Sequence, residues 1–438
     1  MPWILESCLA LTACVLLPRV ALAGEGALDR TFAGRGAVLT DFAGHDDYGY
    51  AVAVQPDGKV LAVGQSGVYP LFHSALLRFE SNGRPDLAFG IAGKVVQSLD
   101  PIGDQLTAVA LQPDGRIVAA GAVIGSNAQK GFLVARFLSD GSLDPSFGSA
   151  GVTTTSFGDP TAAAADLVLQ PDGKIVLVGV SGAGPYSELN DFALARYDAN
   201  GVLDPTFGGD GRVTTHFPGV TNTGSRATSA VLQPDGMLLV AGVYKNEAQP
   251  REFALARYPS DGGLDPSFGV GGKVMLVSPG FADALANGVA LRLDGRIAVA
   301  GSFEKGHHDH EFALAGLDAH GALDASFGNG GWVLSDLFAG SDDIAYGIAL
   351  QLDGKAIAFG RTGQYPNFAV GVARYTTSGE LDPTFGDLGR TQTTFGGFSS
   401  QAFGGALQQD GKLVVGGYSS NASTNIVVAR YLAHPLSH

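Results

Sequence analysis

Leu169-Gln170-Pro171-Asp172-Gly173-Lys174-Ile175-Val176 is the stretch that decides the fold. An alternating apolar strand runs into Asp-Gly, where the backbone needs positive φ, and a β-branched strand leads out, so it reads as a tight hairpin. Close relatives recur along the chain, with turn glycines at Gly58, Gly115, Gly173, Gly236, Gly295, Gly354 and Gly411. A period of roughly sixty residues is too long for most solenoids and close to one four-stranded propeller blade.

Outward from each hairpin the pattern is constant. A variable loop leads to a strand such as Phe192-Ala193-Leu194-Ala195-Arg196-Tyr197, then to a Leu-Asp-x-Ser/Thr-Phe-Gly turn, then to a short strand such as Arg212–Phe217. The turns centre on Asp29, Asp86, Asp144, Asp204, Asp265, Asp324 and Asp382. One unit therefore predicts four strands, a (165–170), b (174–179), c (192–197) and d (212–217), with the small and aliphatic strand a innermost. The expected fold is all-β: a seven-bladed propeller of antiparallel blades. Because the first strand after residue 24 is a d strand (37–42) and the last is a c strand (425–431), the N-terminal strand is expected to complete the last blade and close the ring.

The Gln-Pro-Asp-Gly-Lys hairpin, the Ala-Arg-Tyr strand and the Leu-Asp-Pro-Ser/Thr-Phe-Gly turn together resemble the delta-60 repeat, a β-propeller family of uncharacterised function found mainly in exported bacterial proteins. The resemblance covers nearly all of residues 24–438. It implies a propeller fold and export, and brings no catalytic residues.

Residues 1–23 differ in kind: Ile4 to Leu17 is mostly apolar and too short to span a bilayer, and Ala21-Leu22-Ala23 has the small-x-small form of a signal-peptidase site. They are read as a signal peptide preceding one propeller domain, 24–438, of an exported protein. Leu11-Thr12-Ala13-Cys14 offers a rival reading, a lipoprotein box with Cys14 acylated. Cys8 and Cys14 are the two cysteines, so the domain itself has no thiol chemistry or disulfide frame. A net charge of −15 argues against nucleic acid and anionic membrane surfaces as partners. No second apolar run is long enough to span a membrane, and a monomer is expected.

An arginine of strand c precedes the turn aspartate by eight residues in Arg78/Asp86, Arg136/Asp144, Arg196/Asp204, Arg257/Asp265 and Arg374/Asp382. Equal spacing in blade after blade reads as structure: a bidentate Arg-carboxylate tie, or an aspartate capping the turn amides. Gly316 breaks the pattern before Asp324, and Asp29 has no earlier arginine, so closure would give it Arg430. The turn phenylalanines, Phe32 to Phe385, read as wedges between blades.

The b–c loops and d–a linkers share one propeller face and vary between repeats, which makes that face the place to look for recognition. It would gather Tyr69, Phe72, Tyr186 and Tyr244, together with Tyr365, Phe368 and Tyr418, an aromatic surface suited to an extracellular or envelope protein, a peptide or a glycan. Two d–a linkers add the pairs Asp46-Asp47 and Asp342-Asp343. His307, His308 and His310 form the one metal-like cluster, which also reads as a solvated loop tip. No cofactor is expected, and no nucleophile elbow or thiol is present. The competing class is a polysaccharide hydrolase or lyase using those four aspartates near the axis; it requires two carboxylates to converge within roughly 5–9 Å.

Overall fold

The computed structural model describes residues 24–68, 71–124, 129–183, 190–218, 224–245, 250–277, 280, 283–306, 309–421 and 423–433. The expected signal segment, 1–23, lies outside them. All regular structure is β: seven blades of four antiparallel strands, arranged as a propeller. In blade 3, for instance, strand a is Thr161–Leu169, b is Ile175–Gly182, c is Asn190–Tyr197 and d is Arg212–Thr215. The innermost strands of the other blades are Asp46–Val54 (blade 1), Asp104–Leu111 (2), Gly224–Leu232 (4), Asp283–Leu291 (5), Ile344–Leu350 (6) and Ser399–Leu407 (7). No helix among the described residues is long and apolar enough to cross a membrane.

Strands a and b run further than the sequence pattern indicated, and the reason is a glycine. Gly179, which looks like a strand end, sits mid-strand opposite Ala164, in a ladder that continues to Thr161↔Gly182. Strand d is shorter than expected and ends at Thr215, because it pairs only with Phe192 to Ala195.

Strands b and c are apolar at nearly every position because each blade is covered on both faces. Ile175 and Leu177 pack toward blade 2, whereas Val176 and Val178 pack toward blade 4. The core is accordingly not one mass but a set of inter-blade layers around the ring.

Ring closure follows the phase of the repeats. Ala37–Thr40 is the fourth strand of blade 7, pairing Ala37↔Ala429 through Thr40↔Ile426 on Thr424–Tyr431. Leu28 bridges Tyr431, and the Gly26 amide donates to the Leu432 carbonyl. Val414 and Val428 of blade 7 then pack with Val60 and Leu77 of blade 1 in one buried apolar cluster, as at the other joints.

Candidate functional site

Every innermost strand carries one β-bulge at the same height, at Tyr50, Thr107, Ala165, Thr228, Asn287, Tyr346 and Phe403. The extra residue kinks the strand and drives the carbonyl two residues earlier onto strand b. Only glycine fits there: a Cβ on Gly179 would lie 2.0 Å from the Ala163 oxygen, and one on Gly417 1.8 Å from the Gln401 oxygen. Gly64, Gly121, Gly242, Gly301 and Gly360 are in the same position in their blades.

All seven bulged residues line a central channel of about 220 Å³. In blades 2, 4 and 5 they are short and polar and bond to the next blade: Thr107 Oγ1 donates to Ala164 (2.9 Å), Thr228 Oγ1 to Ala286 (2.8 Å) and Asn287 Nδ2 to Ala345 (2.8 Å). In blades 6, 7 and 1 aromatic contacts take their place, with Tyr346 and Phe403 centroids 4.6 Å apart and Phe403 and Tyr50 5.8 Å apart. Strand a is therefore not uniformly small and aliphatic, as its sequence reading held; three consecutive blades around the closure seam put rings into the channel.

Above those rings the cluster continues to the rim on the b–c and d–a face. Tyr48 lies 6.5 Å from Tyr50 with the rings stacked, and packs edge-on against Tyr418 (5.2 Å) and Phe72 (6.1 Å). Gln401 ties the edge together, accepting from the Tyr346 hydroxyl at 3.2 Å and donating Nε2 to the Tyr418 hydroxyl at 2.9 Å. The six rings are half-buried, so each is fixed by its neighbours while keeping part of a face open. Burial pushes the hydroxyls of Tyr50, Tyr346 and Tyr418 above the ordinary tyrosine range, which keeps them protonated at neutral pH.

Beside this crescent, Arg361 stacks on Phe368 at 4.2 Å and pairs with Asp342 at 2.7 Å. His310 Nδ1 lies 2.6 Å from the other Asp342 oxygen. Burial opposes the Asp342 charge, but the His310 and Arg361 contacts hold its carboxyl below the usual range. Its neighbour Asp343 is wholly buried and accepts from the Leu337 amide (2.6 Å) and the Ser341 hydroxyl (2.7 Å). Burial pushes the Asp343 carboxyl up to about 6. Asp47 is equally buried, accepts from the Phe42 amide at 2.7 Å and is likewise pushed up.

These positions revise the sequence map of the face. Asp46 and Asp47 begin strand a of blade 1 and are not in a linker, because Asp46 pairs with Gly67 in the ladder. Asp46 is exposed and accepts from the Thr424 amide of blade 7 at 3.2 Å. Asp47 and Asp343 each accept from a main-chain amide, and neither lines the central channel. Tyr244 is buried, its hydroxyl on the Pro218 carbonyl at 2.6 Å, and ties blade 4 to the chain leaving strand d of blade 3. Tyr365 is 86% exposed, 6.5 Å from buried Phe368. Tyr69, Tyr186, His307 and His308 lie outside the described residues. Among the described residues no group of three or more His, Cys, Asp or Glu could hold a metal.

On the opposite face the turn aspartates divide their two oxygens rather than taking arginine bidentately. In blade 2, Arg136 Nε donates to Asp144 Oδ2 at 2.8 Å while Asp144 Oδ1 accepts from the Ser146 amide (3.0 Å) and hydroxyl (2.6 Å). Arg78/Asp86 (2.7 Å), Arg196/Asp204 (2.9 Å), Arg257/Asp265 (2.7 Å) and Arg374/Asp382 (2.9 Å) repeat the contact. Arg430 makes it to Asp29 at 2.8 Å across the closure. The same guanidinium lies over the turn phenylalanine, 4.7 Å away for Arg136 and Phe147, and donates to a main-chain oxygen of the following blade, Ala199 at 2.5 Å for Arg136.

The fold is thus that of a closed seven-bladed β-propeller with one aromatic rim. Six segments, 55–89, 112–147, 170–207, 233–268, 351–385 and 408–433, match the family model described as a domain of unknown function (DUF5122) beta-propeller. Blade 5, whose repeat carries Arg292 and Gly316, holds no matched segment. No curated protein matches the chain. Among solved structures, catalytically inactive virginiamycin B lyase from Staphylococcus aureus with quinupristin is 11% identical over 90% of this chain and 98% of that one, with a TM-score of 0.50. A polysaccharide lyase, an ulvan lyase bound to -[GlcA(1-4)Rha3S]-, is 10% identical over 90% and 96%, with a TM-score of 0.51. At these identities the likeness is one of fold.

Proposed function

We propose that this protein is an exported binding module that takes a saccharide chain on the aromatic crescent at the channel mouth. The carrying observation is the continuous set Tyr48, Tyr50, Tyr346, Phe403 and Tyr418, braced by Gln401 and half open to solvent. Rings held rigid by packing lose little entropy on binding, and rings beside fixed amide and hydroxyl groups suit the mixed apolar and polar faces of a sugar. The channel, at about 220 Å³, is smaller than the ~300–1,000 Å³ typical of small-molecule sites, which favours binding across the mouth. Export rests on the apolar 4–17 segment and Ala21-Leu22-Ala23.

The hydrolase or lyase reading is supported less well. The Phe42 and Leu337 amides each hold one oxygen of Asp47 and Asp343, His310 and Arg361 hold Asp342, and burial keeps Tyr346 and Tyr418 protonated, so none of these is poised as a base. The test is a glycan array followed by titration calorimetry. Wild-type protein is expected to bind one glycan class, and Tyr48→Ala and Tyr418→Ala, verified as folded by circular dichroism, to lose it. Wild-type protein silent across the array, or undiminished binding by both variants, would overturn the reading.

A further inference from the structure

Arg226 stands two residues before the blade 4 bulge, at the ring height that Tyr48 occupies in blade 1 and Gln401 in blade 7. It is exposed, and among the described residues no acceptor meets its guanidinium. The reason lies in the preceding blade. Where Tyr346 of blade 6 reaches across to Gln401 of blade 7, the corresponding bulged residue before Arg226 is Ala165, which has nothing to offer. Arg251, itself engaged by Asp283 at 3.4 Å, adds like charge to the surroundings of Arg226. Protein packed around Arg226, together with Arg251, pulls its proton affinity below the usual arginine value, a direction that an incoming anion reverses.

An unpaired cation at the mouth stands out in a chain of net charge −15. In a ring of seven, blade 4 stands across from blades 7 and 1, which carry most of the crescent. The mouth therefore has an aromatic wall on one side and a cationic pole on the other. We infer that Arg226 is the anion-recognising residue of the mouth, and that the ligand is an anionic saccharide, carboxylated or sulfated, lying on the crescent with its charge toward blade 4. The inference rests on the saccharide reading above and adds the substrate class. The planar guanidinium offers a fork of donors to a carboxylate or sulfate, and partial desolvation strengthens that contact relative to bulk water.

The test is calorimetric titration of the full-length exported protein with four probes: hexagalacturonate, a sulfated carrageenan hexasaccharide, neutral maltohexaose and hexaglutamate. Wild-type protein is expected to prefer one of the two acidic saccharides over maltohexaose. Arg226→Gln should weaken that probe roughly ten- to a hundred-fold, the range of a charge-assisted hydrogen bond, with Arg226→Lys falling between. The preference should also shrink as salt rises. Tyr48→Ala should lose saccharides of either charge, which separates stacking from charge recognition. Arg226 is exposed, so its variants are expected to keep the wild-type melting temperature. Equal binding of acidic and neutral saccharides, unchanged by Arg226→Gln, would overturn this inference and leave the saccharide reading standing. Binding of hexaglutamate alone would overturn the saccharide class, and silence of all four probes would count against both.

Discussion

Arg292 donates Nη2 to the Thr377 carbonyl at 2.8 Å, spanning from blade 5 to blade 6. In every other blade that inter-blade bond comes from the strand c arginine, as from Arg257 to Ala319 (2.7 Å) and Arg430 to Ser81 (2.6 Å). Blade 5 has Gly316 in place of that arginine, and Phe327 fills the vacated space, 2.6 Å from where a Gly316 Cβ would lie. Arg292 stands where the other repeats have glutamine, and Asp324 keeps the partner that opens strand b, Arg296 at 2.9 Å, as Asp86 keeps Lys59 (2.8 Å) and Asp382 keeps Lys355 (2.9 Å). The joint is conserved while its donor has moved.

Arg292→Gln is therefore expected to destabilise the protein by about 1.5–3 kcal/mol, the worth of a hydrogen bond to a charged group. Gly316→Arg alone should also destabilise, because Phe327 occupies its site. Combined, the two should cost less than their sum, since the new arginine can take up the vacated bond. Chemical denaturation of the four proteins checks this; strict additivity would refute the donor swap.

Deleting residues 24–42 removes the outer strand of blade 7 and leaves Arg430 buried without Asp29. Breaking a buried pair from one side costs about 3–5 kcal/mol, before the exposed sheet edge is counted. A melting temperature lowered by well over 10 °C, or aggregation on purification, is expected. Asp29→Ala alone should reproduce the pair's share.

Gly179→Ala places a methyl group 2.0 Å from a main-chain oxygen that the bulge holds in place. A loss of about 1–3 kcal/mol is expected, as for overpacking a tight interior. Gly173→Ala meets only an ordinary contact, the Ala199 Cβ at 3.6 Å, but has φ +86°, so its cost should be backbone strain of about 1 kcal/mol. Thermal melts of both separate a contact penalty from a conformational one.

Asp343 and Asp86 bend the pH profile in opposite directions. Asp343, raised to about 6 in the fold, contributes fully below about pH 4 and loses that contribution as pH rises through 6. Asp86, held down to about 2 against the cost of its burial by Lys59, the Ala88 amide and Arg78, contributes above about pH 4 and loses it toward pH 2. Asp343→Asn should flatten melting temperature against pH between 4 and 6 and match or exceed wild type at pH 7.5. Asp343→Ala, which orphans the Leu337 amide, should lose about 1–3 kcal/mol.

Blade count, phase and ring closure were legible because the Asp-Gly turns act as a ruler with almost constant spacing. The Arg/Asp pairs were legible for the same reason, although the division of the carboxylate's two oxygens was not. The rim was harder. An extra residue in a strand leaves no mark in an alternating pattern, so Tyr50, Tyr346 and Phe403 read as ordinary strand residues. Tyr48 sat beside what looked like a linker. The one available signal was the mid-strand glycine, present in strand b of every blade opposite the bulge, and it reads equally well as a strand end. Loop aromatics misled in one case: Tyr244 resembles Tyr418 in sequence, but Pro218 supplies a buried acceptor for its hydroxyl and Phe217 packs on its ring at 5.8 Å.

The bulge has a consequence for how such a ring can diverge. Because the extra residue lies outside the ladder and the apolar inter-blade layers, its side chain can change without shifting register, at the cost in blades 2, 4 and 5 of one bond to the next blade. The channel lining, Tyr50-Thr107-Ala165-Thr228-Asn287-Tyr346-Phe403, is then a seven-letter word written on a fixed frame, each letter set by one codon. Relatives built on the same frame can reshape the channel by respelling that word, while the turns that hold the frame stay as they are.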